Sequence, residues 1–125
     1  PVYYVQYAHA RICSIIKKAA EEGIEVVTPS AEALNRLNSD EERDLISHLA
    51  GLTDEIIGAA KNYDPAKITH YVIDLATLFH KFYNAHRVVS DDKELTEARL
   101  FLCTAVKNTI KNILVMLKVD VPEAM

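Results

Sequence analysis

An all-α, up-and-down bundle of five to six helices is the fold this 125-residue sequence predicts. Apolar residues recur with a period of about 3.6 over most of its length. Only 3 Gly and 4 Pro are present, most of them between the periodic stretches. Serine, threonine and aspartate stand where helices need a first side-chain acceptor. Half of the residues are hydrophobic, so a chain of this size can build a core without staples or metals.

The first helix is predicted over residues 3–22, with Val5, Ala8, Ile12, Ile15, Ile16 and Ala19 on one face and Gly23 at its stop. A connector over 24–29 leads into a short helical piece, 31–37, entered through Ser30. Ser39 and Glu42 make a capping box, each side chain satisfying the other's free backbone donor. The helix they open runs through His48 or Leu49 until Gly51 interrupts it. Thr53 then caps a stretch to Lys61 whose first turn puts Asp54 and Glu55 at the positive end of the helix dipole. Asn62-Tyr63-Asp64-Pro65 reads as a turn, Asp64 capping and Pro65 at the first helical position, where its missing N–H costs nothing. The long helix that follows presents Ile68, Tyr71, Val72, Leu75, Ala76, Phe79 and Phe82 and extends to Val88. After a loop over 89–92, Asp91 or Asp92 caps the last helix. It buries Leu95, Ala98, Leu102, Ala105, Val106, Ile110, Ile113, Leu114 and Leu117, and Pro122 closes it off. Three long helices and a shorter hairpin of two, with short connections, make one domain over 1–125.

No apolar run reaches the length of a membrane span and no basic, apolar leader opens the chain, so a cytoplasmic protein with no membrane partner is expected. The sequence enters its first helix at Pro1-Val2-Tyr3-Tyr4 without an initiator methionine, as a piece of a longer protein would. Cys13 and Cys103 form neither a CxxC pair nor a disulfide framework, which fits a reducing compartment and two buried positions. The formal net charge of −4 argues at first against a phosphate-binding surface. Its distribution reverses that argument. Residues 39–64 carry Arg43 and Lys61 against Asp40, Glu41, Glu42, Asp44, Asp54, Glu55 and Asp64, a balance of −5. Residues 65–90 carry Lys67, Lys81 and Arg87 against Asp74, a balance of +2. The field is therefore sided, and the acidic stretch should lie away from any RNA surface.

Two rows of side chains carry the only chemistry of note. Tyr4, Tyr7 and Arg11 fall at i, i+3 and i+7 on the first helix, and His80, Tyr83 and Arg87 repeat that spacing far downstream. Aromatic residues at helical spacing are usually core. A row that ends in arginine must reach water, and flat faces beside fixed positive charge suit the splayed bases of an RNA loop. No Glu-x-x-His or His-x-x-x-His pair surrounds the five histidines, so no metal site is expected, and the histidines read as solvated or capping groups. Neither cysteine has an adjacent base in the sequence, which gives no ground for nucleophilic catalysis.

Tyr3-Tyr4-Val5-Gln6-Tyr7-Ala8-His9-Ala10-Arg11-Ile12 resembles the segment that enters the C-terminal helical domain of bacterial arginyl-tRNA synthetases. Asp74-Leu75-Ala76, Phe79-His80-Lys81-Phe82-Tyr83-Asn84 and Arg87-Val88 resemble the fourth-helix signature of that family. Ile113-Leu114 and Val119-Asp120-Val121-Pro122-Glu123-Ala124-Met125 are similar to its ending. The Asp-Ala-Leu-Arg tetrapeptide that names this domain class is absent, Glu97-Ala98-Arg99-Leu100 being the nearest string, and no role is assigned to the start of the last helix.

The resemblance implies an anticodon-binding domain of the class I synthetase type, part of an arginine–tRNA ligase. It implies that Tyr4, Tyr7, Arg11, His80, Tyr83 and Arg87 line the pocket for the anticodon stem-loop of arginine tRNA. Met125 joins them, the tail folding back with Pro122 allowing the turn. His-x-Gly-His and Lys-Met-Ser-Lys are missing. The resemblance therefore leaves ATP, magnesium and the charging reaction to a catalytic domain of the same chain, and gives this piece no cofactor and no DNA partner. The rival reading is a helical protein-interaction module that uses the Tyr and Arg rows as its hot spot.

Overall fold

The computed structural model describes residues 1–62 and 64–125, the side chains of 59, 60 and 62 excepted. Among the described residues there are six helices and no strand: α1 (Val2–Glu21), α2 (Ala31–Leu34), α3 (Asp40–Ala50), α4 (Leu52–Asn62), α5 (Pro65–Ala85) and α6 (Lys93–Met116). The apolar face of α5 is broad enough to take partners on several sides, and it packs against α1, α3, α4 and α6. α1 and α6 also pack on each other, and α2 lies on α6. Most of the predicted periodic set is core, Val5, Ile12, Leu75, Phe79, Phe82, Val106, Ile110 and Leu114 being at most 1% exposed, whereas the predicted Ile15, Ile16, Leu95, Ala105 and Leu117 lie half-buried at its margin and Leu45 and Leu100 join it unpredicted. No helix of the described residues is long and apolar enough to cross a membrane.

The helix ends explain where prediction and structure part. α1 stops as predicted: Gly23 takes φ +81°, and the N–H groups of Gly23 and Ile24 bond back to the carbonyls of Ala20 and Ala19. The same motif ends α6 at Met116, well before Pro122. Lys118 there takes φ +60°, and its N–H and that of Val119 return to the carbonyls of Val115 and Leu114. A side chain in this left-handed region is strained. Lys118→Gly should accordingly raise folding stability by about 0.5–1 kcal/mol. A higher urea midpoint at unchanged slope is the expected readout, and an equal or lower midpoint would show the lysine to be unstrained.

The remaining starts follow local chemistry. Ser30 caps α2, which makes a single α-turn before Arg36 and Leu37 close tighter bonds onto Ala33 and Leu34, so the 31–37 piece is shorter than predicted. The Ser39–Glu42 capping box is present. α4 begins at Leu52 with Glu55 N–H bonded to the Gly51 carbonyl, which puts Thr53 inside the first turn and not at the cap. Asp64 accepts from Ala66 N–H, with Pro65 following, as predicted, while Tyr63 of the expected turn lies outside the described residues. Asp92 caps α6 and is also paired with Arg36, which ties the α2 turn to that cap.

Two side-chain fasteners dock α3. His48 stacks on Tyr71 of α5 with ring centroids 4.2 Å apart, its Nε2 donating to the Tyr71 carbonyl while Tyr71 Oη donates to the His48 carbonyl. The Tyr71 hydroxyl thereby satisfies a carbonyl in the last turn of α3, and burial, with Glu55 adding to it, pushes that phenol up to about 12. Glu42, 1% exposed, accepts from Arg99 Nε of α6 at 2.9 Å. Cys103 is buried, its thiol pushed up to about 12 by burial, but Cys13 is only half-buried, contrary to expectation.

Candidate nucleic-acid interface

α1 and α5 lie side by side, so the two rows meet. Arg11 joins them. Its guanidinium lies over the Tyr83 ring at 4.4 Å and over the Tyr7 ring at 5.0 Å, a clamp between aromatic faces from two helices. Its Nη2 donates to Tyr7 Oη at 3.0 Å and its Nη1 to His80 Nδ1 at 3.2 Å. A guanidinium only donates, so His80 Nδ1 is an acceptor and the ring proton sits on Nε2, which is buried with no partner among the described residues. Burial first, and the Arg11 charge second, holds His80 below the usual imidazole range.

The rings form a continuous layer. Tyr4 and Tyr7 approach His80 at centroid distances of 5.1 and 5.9 Å, and Phe79, fully buried beneath, touches His80 and Tyr83 at 5.5 and 6.0 Å. Tyr4, Tyr7 and Tyr83 stay 37, 38 and 36% exposed, so each is packed in part and reaches water in part. A groove of about 500 Å³ opens beside them, lined by Tyr7, Arg11, Lys17, Tyr83 and Met125. The arrangement contains fixed charge and open π-faces, but no general base beside a nucleophile. Such a combination of charge and aromatic surface is of the kind that suits stacked bases and phosphates.

Residues 5–125 match the family described as the DALR anticodon binding domain. The chain belongs to that family. The arginine–tRNA ligase of Caldanaerobacter subterraneus subsp. tengcongensis is 51% identical over 125 residues, covering 100% of this chain and 22% of that protein. That of Desulfitobacterium hafniense is 49% identical over 126 residues, with coverage of 100% and 22%. The Thermus thermophilus arginyl-tRNA synthetase structure superposes with a TM-score of 0.83 at 31% identity, over 98% of this chain and 21% of that one. The chain thus spans about a fifth of the length of the relatives it matches.

Within this DALR domain, Tyr4, Tyr7, Arg11, His80 and Tyr83 form one cluster, and the folded-back tail brings Met125 to its groove. Arg87 departs from the predicted row. α5 ends at Ala85 and His86 is extended, at φ −138° and ψ 149°, so Arg87 leaves the helical stripe. The cause is α6. Arg99 donates to the Arg87 carbonyl at 2.9 Å and to His86 Nδ1 at 3.3 Å, and His86 Nε2 donates to Glu41 at 2.8 Å. Arg87 instead borders an adjoining groove of about 650 Å³ with Lys18 and Val88, and the Tyr83 ring lines both grooves.

Several contributors escaped the sequence reading. Lys18 continues the α1 stripe seven residues past Arg11 and was legible there; Lys17 beside it was not. Arg99, in the string nearest the missing tetrapeptide, is the hub described above, and its neighbours Ala98 and Leu100 are fully buried. The histidines, expected as solvated or capping groups, divide. His70 is exposed, but His9, His48, His80 and His86 are all bonded into the fold. As for charge, acidic α3 and α4 pack on α5 and, among the described residues, neither packs on α1. Glu41 of that stretch reaches His86, a residue that lines the larger groove.

Proposed function

We propose that residues 1–125 are the anticodon-binding domain of a longer arginine–tRNA ligase and that the α1–α5 cluster receives the anticodon stem-loop of arginine tRNA. The observation that supports this most is the Arg11 clamp, which fixes a cation between Tyr7 and Tyr83 at a groove edge while both tyrosines stay more than a third exposed. Loop bases stack on Tyr4, Tyr7 and Tyr83, with Met125 as a further apolar wall. His80 fixes the guanidinium of Arg11, and Arg87 with Lys17 and Lys18 meets phosphates. The contribution to charging is positional: the held loop sets the register in which the acceptor end meets a catalytic domain, where ATP and magnesium act in the cytoplasm.

In the full-length protein, Arg11→Ala should weaken binding of an arginine-tRNA anticodon stem-loop by about 1–3 kcal/mol, roughly 5- to 150-fold. Arg11→Lys should recover only part of this, because an ammonium cannot stack as a plane. Fluorescence anisotropy across a salt series is the measurement. Affinity that ignores both salt and Arg11 would instead favour a protein-docking surface.

A further inference from the structure

Beyond Met116 the chain reverses at Lys118 and runs back along α1. Val119 and Val121 pack against the core, and α1 grips the tail with two polar side chains one turn apart. Gln6 Nε2 donates to the Asp120 carbonyl at 2.9 Å, and His9 Nδ1 to the Pro122 carbonyl at 3.1 Å. A carbonyl only accepts, so His9 carries its proton on Nδ1. Its Nε2 is then a bare acceptor, buried with no partner among the described residues, in a side chain 2% exposed. A buried polar ring that makes one strong hydrogen bond and forgoes the other is costly to keep. An apolar residue would fill the same space at less cost, and the bond to Pro122 is what a histidine adds there.

That bond sits at a strategic point. Among the described residues Pro122 is the last residue of the tail held by a hydrogen bond, and two residues later Ala124 and Met125 border the groove with Tyr7, Arg11 and Tyr83. Gln6 and His9 interleave with Tyr7 and Arg11 on one helix, so the distance from latch to groove is set by the backbone of α1. Burial keeps His9 below the usual imidazole range, partly offset by the Pro122 bond, and Lys107 and Lys111 act with burial. The neutral, donating form is therefore the resident one.

We propose that His9 is a positioning residue for RNA binding: by holding the Pro122 carbonyl it fixes Met125 as a wall of the groove against which a loop base seats. This rests on the reading of the groove as the anticodon site. The test uses the full-length protein with His9→Ala, His9→Asn, Met125→Ala, the His9→Ala/Met125→Ala double variant and Arg11→Ala, each titrated with an arginine-tRNA anticodon stem-loop. Asparagine presents an amide N–H near the place of Nδ1–H. His9→Ala and Met125→Ala should each lose at least about fivefold in affinity, the low end for one stacked base. The double variant should be no weaker than either single one, and His9→Asn should regain most of the loss.

A second readout needs no RNA and is taken on folded protein. The methyl resonance of Met125, whose groove Tyr7 and Tyr83 also line, should move to its unstructured position in His9→Ala and return in His9→Asn. Additive losses, or a Met125 methyl unmoved by His9→Ala, overturn the proposal and leave the anticodon reading standing if Arg11→Ala still weakens binding. Unchanged affinity in Arg11→Ala overturns both.

Discussion

Arg99→Ala is expected to destabilise the fold by about 3–5 kcal/mol, because it strands a carboxylate in the interior. Glu42 is 1% exposed and Arg99 is the cation facing it, with Ser39 supplying the remaining bonds from its backbone N–H and hydroxyl. Burial alone would raise the Glu42 carboxyl; the Arg99 and Ser39 bonds outweigh it and hold the group below the usual carboxylate range. The sign of the pH dependence follows. A depressed carboxyl contributes stability above its unfolded pKa and loses it as pH falls through the folded value. In Arg99→Ala burial dominates instead, and protonation relieves the stranded charge. The gap between wild type and variant should therefore narrow as pH falls, beginning above the unfolded glutamate value of about 4.3 and continuing down through the depressed wild-type value. Urea unfolding at neutral and acid pH checks this, and a gap that stays constant would mean that Glu42 is not the source of the loss. Arg99→Lys should recover little, since one ammonium cannot serve Glu42, His86 and the Arg87 carbonyl together.

Phe79→Ala should cost a further class of loss, about 3–5 kcal/mol of stability from the cavity it leaves, together with RNA affinity. Phe79 is fully buried and its ring touches His80, Phe82 and Tyr83. It is the floor on which the clamp stands. Removing it frees His80 to tilt, and with His80 goes the acceptor that orients Arg11. Phe79→Leu keeps most of the volume and should cost less than about 1.5 kcal/mol. Thermal melts with stem-loop titrations on the same samples give both readouts. Normal RNA affinity in a destabilised but folded Phe79→Ala protein would separate the core from the site.

The fold was legible because its determinants are local. Ser39 and Glu42, Asp64 and Pro65, and Gly23 each act within a turn of chain, and the structure shows each where the spacing put it. The misreadings have the opposite character. α5 was predicted to reach Val88, and nothing between Ala85 and Val88 forbids a helix; it is Arg99, from another element, that draws His86 and Arg87 away. For α6 the sequence places the last stripe residue at Leu117 and the closing signal at Pro122, yet the helix ends at Met116, where Val119 can return to the Leu114 carbonyl and pack inward. At the site, Tyr4, Tyr7, Arg11, His80 and Tyr83 were visible as two rows, because helical spacing is written in the sequence. Their interdigitation through Arg11 was not, because it depends on how two distant helices face each other. His9 gave no signal, since its partner is a backbone carbonyl more than a hundred positions away.

The crowding of α1 bears on how freely this segment can drift. Val5, Ala8 and Ile12 are committed to the interior, Tyr4, Tyr7 and Arg11 to α5, and Gln6 and His9 to the tail, so three sides of one cylinder are spoken for within nine positions. Only outward-facing sites such as Tyr3, 67% exposed, remain open to neutral exchange. Innovation in which RNA such a domain accepts is then more accessible through residues at the groove rims, Lys18 and Arg87 among them, than through the first three turns of α1.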